Sequence, residues 1–67
     1  REYNAMMRSY VVGLAREAGF RDPEGVAEQL LVLTTGATAR AKMGAGAEAA
    51  MVAKRAAEAV MAAASKA

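Results

Sequence analysis

Sixty-seven residues with neither cysteine nor histidine leave room for one small domain, without a disulfide staple and without the commonest metal ligand and acid–base catalyst. A lone domain of this size hides only about 60% of its unfolded surface, so it needs a partner or unusually good helix packing. Lys and Arg number 9 against 7 Asp and Glu, interspersed along the chain, and a net charge of +2 with no basic cluster is not a nucleic-acid footprint.

The pattern predicts an all-α chain of three helices, at about 2–18, 23–43 and 47–65. In the first, Tyr3, Met6, Met7, Tyr10, Val11, Leu14 and Ala18 are expected to form the apolar face, while Arg8, Arg16 and Glu17 lie mostly elsewhere. It opens in mid-stride, with no cap and no initiator methionine. The expectation is therefore a fragment, the tail end of a longer protein.

Residues 14–27 stop one helix and start the next. Gly19 can adopt the left-handed conformation that ends a helix, and Phe20 can fold back onto the last turn. Asp22 can cap the following helix, Pro23 fits its first position, and Glu24 suits the positive end of the dipole. In the second helix Val26, Ala27, Leu30, Leu33, Thr34, Ala37 and Ala41 form the expected stripe, opposite Glu24, Glu28, Thr35 and Lys42. Gly44-Ala45-Gly46 then breaks the pattern, with Gly44 placed as a C-terminal cap. No strand signal is present, and the alanine-rich second half favours helix.

The third helix gathers Glu48, Lys54, Arg55 and Glu58 within roughly a third of its circumference, leaving an apolar arc of about 200°. One neighbour needs about 100°. The arc is built of small residues (Ala49, Ala50, Ala53, Ala56, Ala57, Ala63, Ala64) around Val52, Val60 and Met61, which suits close helix approach. Gly36, Ala37, Ala39 and Ala41 offer a matching set on the second helix. Two close-packed helices that still expose apolar surface are completed by a second copy, giving a four-helix bundle about a two-fold axis. The interface expected on this basis is Leu30, Leu33, Ala37, Ala49, Val52, Ala53, Ala56 and Val60. Each buried methyl-sized group contributes only about 0.8 kcal/mol, so the contact must work by area. A broad alanine arc also occurs in other bundles, solenoid repeats and linkers, and it can equally face a missing part of the same chain.

The run Leu14-Ala15-Arg16-Glu17-Ala18-Gly19-Phe20, then Asp22-Pro23-Glu24, Ala27-Glu28-Gln29-Leu30, Leu33 and Gly36-Ala37, resembles the C-terminal end of a TetR-family transcriptional regulator. The last helix, with Ala49-Ala50 and Ala53-Lys54-Arg55-Ala56-Ala57, is similar to that family's final helix, so the resemblance covers nearly the whole chain. It implies a bacterial regulator whose N-terminal helix-turn-helix domain binds DNA and whose all-helical C-terminal domain holds a small-molecule effector. It further implies that the final two helices pair with those of a second subunit, and that effector binding shifts the spacing of the DNA-binding heads. On this reading residues 1–67 are a C-terminal fragment of the regulatory domain, a homodimer in the cytoplasm. The DNA-binding domain is absent from this chain, which neither contacts nucleic acid nor holds a complete pocket. The alternative is a generic alanine-rich helical interaction module with no small-molecule role.

Tyr3, Met7 and Tyr10 are candidates for one wall of an effector pocket, since aromatic bodies with polar tips and pliable methionines suit apolar ligands. At helical spacing the same residues serve equally as ordinary core. Thr34, with Thr35 and Thr38, can supply hydrogen bonds to a ligand or bond the preceding helical turn. Arg40 either pairs across a dimer or is solvated, and Lys54, Glu58, Glu24 and Glu28 read most simply as solvated faces. Catalysis is not expected: serine occurs only at Ser9 and Ser65, with no histidine to activate either. The carboxylates Glu17, Asp22, Glu24 and Glu28 are explained by capping and the helix dipole. Gly44-Ala45-Gly46 lacks the Lys-Ser/Thr of a phosphate loop. No cofactor and no metal is expected. No apolar run reaches the roughly 18 residues of a membrane span, and the last helix is too poor in Lys, Arg and aromatics to lie on a membrane surface.

Overall fold

The computed structural model describes residues 2–66, and side-chain surroundings from residue 4 onward. It is built of three α-helices: α1 (Glu2–Glu17), α2 (Pro23–Arg40) and α3 (Gly46–Ala63).

The first turn uses the local signals in full. Gly19 takes φ 90°, where a side chain would be strained. Its N–H donates to the Arg16 carbonyl at 3.0 Å, and that of Phe20 to the Ala15 carbonyl at 3.3 Å. This pair of reversed bonds is the Schellman arrangement, and it satisfies two carbonyls that the end of α1 would otherwise leave orphaned. On the far side of the turn, Asp22 Oδ1 accepts from the Gly25 N–H at 3.1 Å, and Pro23 opens α2. The helix therefore begins where its cap, its proline and its first-turn Glu24 all agree.

The second turn is looser. The α-helical bonding pattern of α2 runs to Arg40 and widens over Ala41–Ala45, where Gly44 sits at φ 100°. Gly44 thus marks the helix stop, as expected of it, because helical angles persist at Ala41 and the non-helical residue of the stretch is Gly44 itself. Glycines at 44 and 46 and alanines at 41 and 45 provide no side chain to cap either helix, and Ala45 leads into α3 with no capping bond. At its other end α3 stops at Ala63, before residue 65. Ala64 turns extended (ψ 139°), and the last described residues fold back onto the first turn.

α2 is the central element, packing against α1 on one flank and α3 on the other, and α1 and α3 do not pack on each other. The Cα envelope measures 39 × 29 × 13 Å, more than twice as wide as thick. With helix axes 8–10 Å apart, a triangular bundle would be about as wide as it is thick, so the helices lie side by side in one layer.

A single layer buries little. The buried apolar residues are Val12, Ala15, Phe20, Val26, Ala27 and Ala49. Ala15, Phe20 and Val26 form a cluster at the first turn, with Leu30 and Ala64 packed against it. The core therefore sits at one end of the layer.

The apolar face expected on α1 is corrected here. Val12 and Ala15 face α2, whereas Met6, Tyr10 and Leu14 are 68%, 64% and 48% exposed. Both sets repeat at helical spacing, and the bulkier one drew the expectation. The close approach at the turn admits only the smaller one.

Candidate functional site

The face of α2 and α3 carries an apolar groove. A hollow of about 450 Å³ lies between the two helices, lined on α2 by Val32, Leu33, Gly36 and Ala37 and on α3 by Ala49, Val52 and Ala53. A second, of about 310 Å³, shares Val32 and Leu33 and runs on to Val60. The antiparallel pairing of α2 and α3 makes the two one continuous groove. It extends from Arg40 and Glu48 at the loose turn to Glu28 and Gln29 towards the capped one.

Small residues make this groove. Where Gly36 and Ala37 face Ala49 and Ala53, the side chains are too short to fill the space between the helices. Val52 and Val32, at the groove edges, remain 58% and 60% exposed. Large side chains at the same places would have filled it and closed the face. The apolar lining thus stays in contact with water in the lone chain, at a cost of roughly 25 cal/mol for each Å².

Of the residues expected at an interface, Leu33, Ala37, Ala49, Val52, Ala53 and Val60 line the groove. Ala56 is half-buried on α3 without lining either hollow, and Leu30 turns towards the Ala15, Phe20 and Val26 cluster. Val32 belongs to the groove and was not singled out by its sequence. Its signal was the i, i+4 series Val32, Gly36, Arg40, which lies beside the main stripe rather than on it.

The residues expected to meet an effector are not brought together. Met7 is half-buried, Tyr10 and Thr34 are exposed, and none of the three lines the groove. Tyr3 lies outside the residues whose side chains are described. The Thr34 hydroxyl donates to the Leu30 carbonyl, and that of Thr38 to the Thr34 carbonyl, both at 3.0 Å. The second reading of these threonines is thus the one observed, bonding to the preceding turn.

Charges sit at the rim. Arg40 and Glu48 line the same end of the groove and form no ion pair with any described residue. Arg8 and Glu28 approach at 3.4 Å between α1 and α2, but both are half exposed or more, so the pair adds at most a few tenths of a kcal/mol. Among the described residues no cluster of His, Cys, Asp or Glu has the makings of a metal site. No described helix is long and apolar enough to cross a membrane.

Comparison with protein-family models, with curated proteins and with solved structures finds no match to this chain.

Proposed function

We propose that this chain is a self-pairing helical module: α2 and α3 lay their groove face against the same face of a second copy, forming a four-helix bundle about a two-fold axis. Its role is to hold together two subunits of a ligand-responsive transcriptional regulator of the TetR type. The regulator reading rests on the resemblance of residues 14–37 and of the last helix. The pairing reading rests on the shape of the molecule.

The observation that carries the pairing is area. The chain exposes 5005 Å², where a folded monomer of this mass exposes about 4,000 Å². The surplus of roughly 1,000 Å² matches the 800 Å² or so that each partner contributes to a standard stable interface. The groove supplies part of that surface, to which exposed Met6, Tyr10 and Leu14 on α1 also contribute. Arg40 and Glu48, of opposite sign at one rim, meet the need for charge complementarity, because a two-fold operation can place each opposite the other's counterpart.

A part in effector binding is the weaker half of the proposal. Its support is the exposed stripe Met6, Tyr10 and Leu14, an apolar wall of α1 that other regulatory helices can complete.

The functional test supplies a DNA-binding head. Fused behind a helix-turn-helix domain that binds its operator only as a pair, this chain should restore cooperative operator binding, and Val52→Glu should abolish it. A fusion that stays monomeric on DNA would contradict the pairing and favour a module that docks on a different protein.

A further inference from the structure

The tail after α3 makes contacts that neither fold class nor pairing requires. The Arg21 N–H donates to the Ser65 carbonyl at 2.9 Å, and the Arg21 guanidinium to the Lys66 carbonyl at 3.4 Å. The Lys66 ammonium donates to the Ala18 carbonyl at 3.1 Å and stands 4.5 Å from the centre of the Phe20 ring. One cation therefore caps the C-terminal end of α1, where the dipole is negative, and also lies over an aromatic face. The two side-chain bonds join positions 45 and 48 apart in the chain.

α1 is otherwise held along α2. Among its described residues Val12 and Ala15 are buried and Met7 and Val11 half-buried, Arg8 and Glu28 pair in solvent, and α1 does not pack on α3. Its link to the turn is Gly19 at φ 90°, a residue free to absorb a change of backbone angle.

We propose that residues 64–66 are a latch that fixes the angle of α1, and that opening the latch lets α1 pivot about Gly19 relative to the α2–α3 pair. Lys66 is the key element because its single ammonium bridges the helix end and the Phe20 ring. An event that draws the tail away, such as its capture by another segment, is thereby coupled to the position of α1. The proposal does not rest on the pairing of chains.

The test is read on two scales in the full chain. Spin labels at Ser9 and Arg55, both exposed, report the distance from α1 to α3, with labelled chains diluted into unlabelled ones so that only distances within one chain count. Amide exchange reports opening of the turn. In Lys66→Ala the Arg21 amide should exchange about tenfold faster, α1 amides should lose protection with it, and the distance distribution should broaden. Lys66→Met, which keeps the apolar stem without the charge, should behave like Lys66→Ala, and Lys66→Arg should keep the narrow distribution. Should Lys66→Ala lose helicity outright, Arg21→Ala gives the same reading at about threefold. An unchanged distance distribution, with faster exchange confined to Arg21 and the tail, would overturn the latch. So would a Lys66→Met chain that behaves as wild type.

Discussion

The turns at residues 18–22 and 41–45 are similar in length, and each contains a glycine near φ 90–100°, yet they differ in everything else. The first has a Schellman closure, an Asp22 cap, a proline in the first helical position, a buried Phe20 and a tail folded over it. The second has no side-chain cap and no buried residue, and its Met43 is 78% exposed. One end of the layer is finished by its own residues. The other, with the groove leading into it, has no side-chain cap and leaves its apolar Met43 open to solvent. The contrast places the exposed apolar surface of α2 and α3 along the groove, away from the capped turn.

The sharpest way to break this comparison is Phe20→Ala. Phe20 is the largest side chain of the buried cluster, and its loss should cost about 3 kcal/mol, enough to unfold so small a domain, as thermal melting followed by circular dichroism would show. If Phe20→Ala melts like wild type, the first turn does not hold the fold. On the open face, Val52→Glu adds a charge where the side chain is exposed in one chain and would be buried in the proposed pair. The dimer dissociation constant should rise about 100-fold, or roughly 2.7 kcal/mol, with little change in helicity at high concentration. Equilibrium sedimentation of the variant checks this, and an unchanged constant would move the interface elsewhere.

The two glycines sharpen the contrast further. Gly19→Ala places a side chain at positive φ in a turn whose flanks are capped and latched, and should cost about 1–2 kcal/mol. Gly44→Ala meets the same strain in a turn that nothing holds, and relaxation should reduce the loss to about half of that. Equal losses would show that the second turn is as firmly set as the first. Asp22→Ala should cost about 1 kcal/mol through the lost cap on α2. The smallest effect is expected from Arg8→Ala, at no more than about 0.5 kcal/mol, because its partner Glu28 is solvated. Urea titration resolves these differences.

What could be read from the sequence follows the same division. Gly19, Phe20, Asp22 and Pro23 act through bonds a few residues long, so their roles at the first turn were legible one by one. The three helices were legible from periodicity and alanine content, and Gly44, at positive φ, stops the second where its sequence placed the cap. The inward face of α1 was not legible. Met6, Tyr10 and Leu14 repeat as regularly as Val12 and Ala15, and the choice depends on how closely α2 approaches, a tertiary fact. Most of the groove residues followed from the small-residue arc of α3, and Val32 escaped because it borders the stripe. The hold of Lys66 on Ala18 and Phe20 joins opposite ends of the chain, and no local pattern announces such a contact.

The central claim is that the groove face of α2 and α3 is completed by a second copy, so that pairing and full helix formation are one event. Sedimentation equilibrium of this chain, with helicity followed through the same dilution series, tests it most directly. The account predicts a species of twice 6.9 kDa that loses helix content as it dissociates. A 6.9 kDa species that keeps its full helicity at every concentration would contradict it.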